Sequence, residues 1–380
     1  MASLNTLTGL GPVIYEALDV VAQEKTGFLG AVTTVPSAES AAKDQTITVY
    51  QTPAVAASTA ITPASSAPDA GGQTITPVTM TISKSQMVPV QWTGDEQMLV
   101  RGQVNNILRD QIVQAIRTLR NEQESDLAVA AMAGASRAHG TAGTAPFNTA
   151  NDTSDFAAIA RILDDNGAPD MDRALVLDSA AVQNLRGKQG LLNKVNEAGS
   201  AEFIRSGALL DMYGFAIRQS RQVSRKATVG TISVGTITAS AGATSLTVAG
   251  GTGSILVGDV ATIGNHKYVV TAVTGTAPTT AITIAAPGLM EDVSSANVTV
   301  AAAFRGNVAF QKSALLLATR VPAMPMGGDS ADDVMDIVDP QTGVVYQLAL
   351  YKGYRQVRIE IGQAWGVKAV KPNFAALLLG

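Results

Sequence analysis

The sequence predicts an α+β protein with a small β-barrel inserted into its host domain, and three features carry that prediction. The first is a composition break: from Ala227 to Phe304 the only charged residues are Asp259, Lys267, Glu291 and Asp292. The rest of that stretch is Thr, Val, Ala, Gly, Ser and Ile in short alternating runs, the pattern of half-buried strands. The second is a helical stripe beginning at Thr93 and running beyond three ordinary helices in length. The third is a mixed helix and strand pattern on both sides of the break. A barrel inserted in such a host, in a chain without catalytic groupings, points to assembly rather than chemistry.

Bulk composition narrows the classes further. A chain of 380 residues is long enough for two or three domains and a sizeable core. Charged residues make up 15% and hydrophobic residues 46%, a balance that fits a surface largely hidden against copies of itself. The net charge of −4 gives no support for a nucleic-acid grip over the whole chain. The absence of Cys excludes disulfides and thiolate chemistry and fits cytosolic folding. Met1 to Gly11 shows neither a basic nor an apolar leader region, and no apolar run reaches the roughly 18–20 residues of a membrane span. The expectation is a soluble protein made and kept inside the cell.

In chain order, Pro12 opens a helix over 12–25 with Ile14, Ala17, Leu18 and Val21 on one stripe. With 26–45 irregular behind it, this helix reads as an arm rather than part of a core. Thr46–Gln51 and Val78–Ser83 alternate as strands. Between them, Pro53, Pro63, Pro68, Pro77 and Gly71-Gly72 forbid regular structure. So long a stretch is either a disordered tip or the end of a long hairpin reaching onto a neighbouring subunit.

Thr93-Gly94-Asp95-Glu96 is a capping box. Behind it Val100, Val104, Ile107, Leu108, Ile112, Ala115, Ile116 and Leu119 share a face, and the pattern continues past a weak polar patch at Asn121–Asp126 to Gly134. About forty residues at 1.5 Å each span about 60 Å, which implies an elongated molecule. From Asp152 to Ser220 the pattern is α/β. Asp152 or Ser154 caps a helix carrying Phe156, Ile159, Ala160 and Leu163 and ended by Asn166-Gly167; Ala174–Leu177 is a strand, Ser179–Leu185 a short helix and Gly214–Ile217 a strand. Barrel strands follow near 228–238, 244–249, 259–263, 267–273, 280–285 and 297–303, divided by Gly turns. After them Ala309–Thr319 is apolar, Val344–Leu350 and Val357–Ile361 form a hairpin around Tyr351–Tyr354, and Trp365–Val370 and Phe374–Leu379 are the last strands.

Chemistry-bearing residues are sparse. His139 and His266 stand far apart in sequence, neither beside a carboxylate, so a His-based ligand set or triad is not expected. Gly250-Gly251-Thr252-Gly253-Ser254 lacks the Gly-Lys-Ser/Thr ending and following helix of a phosphate loop and reads as a β-turn. Asp329, Asp332, Asp333, Asp336 and Asp339 lack calcium-loop spacing; they form a solvated loop or subunit contact, with a weak divalent-cation site as the alternative. Arg218, Arg221, Arg225 and Lys226 mark the joint before the barrel, as a salt-bridged hinge or subunit contact, or else a phosphate contact. No residue is assigned as catalytic, cofactor-binding or metal-binding, and no cofactor is expected.

The order of these parts resembles the major capsid (coat) protein of tailed bacteriophages, the Hong Kong 97 fold, in the short-tailed-phage branch that carries an inserted β-barrel. The likeness rests on Gly94-Asp95-Glu96 running to Ala130–Ala133; on Arg173–Leu177, Arg205-Ser206-Gly207 and Gly214-Phe215; on Val257-Gly258-Asp259; on Asn307–Phe310 and Leu317–Pro322; and on Val357-Arg358-Ile359 through Ala369–Pro372. It spans nearly the whole chain, with the order more specific than any one motif. It departs in the Pro/Ala/Thr-rich loop tip. The covalent cross-link of the fold's type member does not carry over, since no matching motif surrounds Lys84.

The resemblance implies an N-terminal arm over 1–45, an extended loop (β-hairpin) over 46–92 and the spine helix of the peripheral domain over 93–137. It implies an axial domain over 138–226 and 305–322, the inserted barrel over 227–304 and C-terminal strands of the axial and peripheral domains over 323–380. It further implies a non-enzymatic shell protein, with hundreds of copies arranged as hexamers and pentamers in an icosahedral capsid around the phage genome. Implied partners are a scaffolding protein during assembly, a portal protein and packaged double-stranded DNA held through non-specific contacts, with no membrane. The implied place is the virion capsid, assembled in the host cell cytoplasm. In the family the insertion supports folding of the host domain and bridges neighbouring subunits. The same fold also serves as the shell of non-viral nanocompartments, the alternative reading.

Overall fold

The computed structural model describes residues 7–22, 26–50, 77–100, 104–149, 152–192, 211–231, 235–339 and 342–380. The Pro-rich loop tip and Arg205–Gly207 lie outside the described residues, as do the three positions, 101–103, between the two parts of the long helical pattern.

The N-terminal part contains α1 (Leu7–Ala22), β1 (Thr33–Ala41), β2 (Thr46–Tyr50), β3 (Pro77–Thr81), β4 (Lys84–Thr93), α2 (Gly94–Val100) and α3 (Val104–Ala133). Next come β5 (Arg137–Gly140), α4 (Ser154–Asp165), β6 (Arg173–Leu177), α5 (Ser179–Leu192), β7 (Ala216–Gln219) and β8 (Arg225–Lys226). Six strands then follow in the low-charge stretch: β9 (Gly235–Ala239), β10 (Ser245–Ala249), β11 (Val260–Ile263), β12 (His266–Thr276), β13 (Thr279–Ile284) and β14 (Val293–Val300). The chain ends with β15 (Phe304–Gln311), β16 (Leu315–Pro322), β17 (Asp333–Val338), β18 (Val345–Gly353), β19 (Gln356–Ala369) and β20 (Ala375–Leu379). The architecture is α+β, as the sequence predicts.

The six strands of the low-charge stretch close on themselves. They pair in the order β11-β14-β9-β10-β13-β12, and β12 pairs back with β11. Closure removes the open edges that such Thr/Val strands would otherwise present. The barrel has its own core, including Ile237, Leu246, Val248, Ile263, Tyr268, Ile282, Ile284 and Val298. Lys226 pairs with Phe304 and Arg225 with Arg305, so the chain enters and leaves the barrel side by side. A second junction is lateral: β12 pairs with β5 through Lys267–Ala138 and Tyr268–Arg137.

Beyond that seam the sheet continues as β5-β20-β15-β6-β7. Its central strands β20 and β6 read as nearly unbroken apolar runs because both faces are covered. Alternation shows this residue by residue. In β20, Ala375, Leu377 and Leu379 belong to the core shared with α1 and α3, whereas Ala376 and Leu378 face the core formed with α4 and α5. Gly167, in the left-handed region at φ 72°, ends α4 after the Asn166 cap.

The other large sheet is organised on the 14-residue β19. β4 runs along one side of it; β18 and then β16 occupy the other, with β17 beyond β18 and β1 parallel to β16. α3 packs across both sheets. At 30 residues it is about 45 Å long. The capping box forms as read: the Thr93 amide donates to Glu96 Oε2 at 2.8 Å and the Glu96 amide to Thr93 Oγ1 at 3.3 Å. The Thr93 amide, joined by the Thr93 hydroxyl donating to the same Oε2 at 2.9 Å, holds the Glu96 carboxyl below its ordinary range. Thr93→Ala is expected to cost about 1 kcal/mol, read as a shift in the denaturant midpoint.

Several expectations are corrected. α1 begins at Leu7 and holds Pro12 inside it, and Ile14, Ala17, Leu18 and Val21 are buried against α3, so this helix is part of the main core. Within 26–45, β1 forms despite Pro36, because β16 supplies a ready edge. Residues 329–339 are not simply a loop, since β17 makes an edge strand. Trp365–Val370 is no separate strand; it continues β19 through Ala369. α5 extends seven residues beyond the short helix expected, to Leu192.

Candidate functional site

A cleft of about 820 Å³ lies where β5 of the host sheet meets β12 of the barrel. Both histidines line it, together with Arg137, Lys267, Asp155, Arg161, Asp165 and Glu291. The sequence did not predict that His139 and His266 would converge. They do so because strand pairing, not sequence proximity, joins them. His139 Nε2 lies 3.5 Å from Asp155 Oδ1, and the Phe147 amide donates to Asp155 Oδ2 at 2.7 Å. The His139 contact is the chief reason the Asp155 carboxyl is held below its ordinary range; the Phe147 amide adds to this, against the opposing effect of burial.

The fixed cations of the cleft are already engaged. Arg137, only 3% exposed, donates through Nη2 to Ile162 O and Asn166 Oδ1 at 3.1 Å each, and lies 3.3 Å from Asp165. Arg161 Nε is 3.7 Å from the same carboxylate. Lys267 Nζ donates to the Gly140 carbonyl. Among the described residues no group of three or more His, Asp or Glu side chains is placed to hold a metal ion. The cleft therefore gathers two imidazoles among cations that are already paired with carboxylates and carbonyls.

The other groups singled out in the sequence are dispersed. Gly250, Gly251 and Gly253 have φ of 74°, 81° and 105° in the turn after β10, and strand β11 follows rather than a helix. Asp329 accepts from Tyr351, which pushes that phenol up to about 12, and Asp332 pairs with Lys352. Asp336 accepts from Gln347 at 3.3 Å, and Asp339 accepts from Thr342. These carboxylates are strung along an edge strand and its flanks, each with a protein partner. At the barrel joint Lys226 Nζ donates to Val257 O at 2.7 Å and lies 3.9 Å from buried Asp259, which favours the hinge reading of the basic cluster.

Sequence reasoning missed a set of buried polar clips on α3. The patch read as weakly polar, Asn121–Asp126, contains Gln123 and Glu124, both buried beside Arg120. Glu124, 4% exposed, accepts the Phe28 and Leu29 amides at 2.9 and 2.8 Å and Ser220 Oγ at 2.9 Å. Arg120 Nη1 donates at 2.7 Å to the Val21 carbonyl near the end of α1, a group without an intrahelical partner. Asp126 accepts Lys84 Nζ at 2.8 Å and Trp365 Nε1 at 2.9 Å. The signal was present as polar residues interrupting an apolar stripe.

No protein-family model matches the sequence, and no curated protein matches it. Solved structures do. The capsid structure of the cyanophage P-SCSP1u aligns over 94% of this chain and 88% of its own, with a TM-score of 0.50 and 14% identity. A structure from Mycobacterium phage Che8 covers 96% and 87% at a TM-score of 0.44 and 13% identity. The virus-like particle from Pyrococcus furiosus covers 96% and 97% at 0.42 and 8%. At such identities the likeness is one of fold, and the fold of this chain is that of a phage capsid protein.

Proposed function

We propose that the chain is the major capsid protein of a tailed phage, self-assembling into the icosahedral shell that encloses the DNA genome. The observation that carries this reading is the fold shared with a cyanophage capsid over 94% of the chain. On this reading α1 and β1 belong to the N-terminal arm (1–45), β2 to β4 to the extended loop (46–92), and α2 and α3 to the spine (93–137). The axial domain comprises 138–226 and 305–322, the barrel (227–304) is the insertion domain, and 323–380 supplies the last strands. Function is mechanical: identical interfaces repeat and close by symmetry.

Surface chemistry supports it. α2 buries none of its residues within the subunit, and Leu99 on it is 84% exposed. Tyr354, at the tip of the β18–β19 hairpin, is 91% exposed. The hairpin meets the start of α2 through the Gly94 amide and Arg355 carbonyl at 3.0 Å, so both apolar groups lie at one end of the large sheet. Large apolar side chains left in water mark contact surfaces when they cluster. Neighbouring copies are the proposed occupants, with a scaffolding protein guiding assembly, a portal at one vertex, and packaged DNA held non-specifically. The test is velocity sedimentation of the full chain produced with its scaffolding protein. Particles of hundreds of subunits support the proposal; a strictly monomeric species at high concentration overturns it.

A further inference from the structure

The seam between β5 and β12 brings the chain's two histidines together. Lys267 pairs with Ala138 and Tyr268 with Arg137, so continuing the same register sets His266 opposite His139. Both line one cleft. This is a lateral junction of barrel to host sheet, and it is short: two paired positions, extended by the Val269 amide donating to Ser136 O at 3.2 Å.

We propose that this seam is a proton-operated hinge, closed while the imidazoles are neutral and loosened when His139 and His266 are both protonated. The charge balance of the cleft argues for it. On the host side Arg137 and Arg161 share Asp165, and Asp155 stands beside His139. On the barrel side Lys267 caps Gly140, and Glu291 lines the cleft near Gly264. Three fixed cations thus meet three carboxylates among the lining residues, and Lys188, which also acts on Asp155, is matched by Asp152, so the cleft is balanced before either imidazole is charged. Tyr268 adds no charge, since burial raises its phenol above its ordinary range while its oxygen accepts the Met290 amide.

Histidine is the side chain whose charge changes between about pH 5 and 8. The first proton has a partner, because an imidazolium at His139 faces Asp155. The second places a cation directly opposite another across two strands, an arrangement that destabilises strand pairing. Two protons leave the cleft with two excess positive charges, and the seam is where that excess is relieved.

The test is hydrogen exchange of the full chain at pH 7.5 and 5.0, corrected for intrinsic exchange, following the Val269 amide with the Ile282 amide of the barrel interior as control. Val269 is expected to lose protection about three- to five-fold at the lower pH while Ile282 does not. His266→Gln and His139→Gln should each abolish the difference, and the double variant His139→Lys with His266→Lys should open the seam already at pH 7.5. Equal protection of Val269 at both pH values overturns the hinge. So does a loss that persists in both Gln variants, or one shared equally by Ile282.

Discussion

Glu124→Ala is expected to destabilise the host part of the molecule by about 4 kcal/mol and to release the segment that follows α1. Glu124 is buried on α3 and accepts from the Phe28 and Leu29 amides and from Ser220. Net contributions of hydrogen bonds to a charged group run at about 1.5–3 kcal/mol each, and removing the acceptor leaves buried donors without partners. The segment has little room to find others: a Cβ on Gly27 would lie 2.5 Å from Ser220 Cβ. Glu124→Gln keeps the volume and one acceptor oxygen, and about half the loss is expected. The readout is the denaturant midpoint together with amide exchange at Phe28 and Leu29. A loss below about 1 kcal/mol, with those amides still protected, contradicts the clip.

Asp259→Ala is expected to cost about 3 kcal/mol, confined to the barrel and its joint. Asp259 is fully buried. Its Oδ2 accepts the Gly230 and Leu256 amides at 2.8 and 2.7 Å, while Oδ1 faces Lys226 Nζ at 3.9 Å. It therefore ties the irregular segment after β8 to the barrel wall. Truncation strands two amides in a site that a Cβ on Gly230, 2.2 Å from Ser254 O, shows to be tightly packed. Exchange should rise across β9 to β14 and leave β6, β15 and β20 unchanged. A uniform rise over all these strands contradicts the barrel's having a separate core.

Legibility followed the source of stabilisation. The barrel was readable because each strand carries its own alternation, as in Thr280, Ile282 and Ile284, and because charge almost vanishes between its joints. α3 was readable from its stripe and its upstream capping box. β1 was not, since Thr33–Ala41 includes Pro36, Ser37, Glu39 and Ser40 and gains its bonds from β16. β4 escaped notice because Pro89 interrupts it, although β19 pairs with it from Lys84 to Thr93. β17 was hidden by its aspartates, which an edge strand tolerates and which discourage pairing with foreign edges. The cleft and the Glu124 clip depend on register and long-range packing, which residues far apart in the chain do not announce.

The most direct test of the account is electron microscopy of the full chain, produced alone and together with the proposed scaffolding protein. The account predicts closed icosahedral shells, with rings of five and six subunits and density for a separate six-stranded barrel on each subunit. Monomers, or open filaments without fivefold vertices, would contradict it.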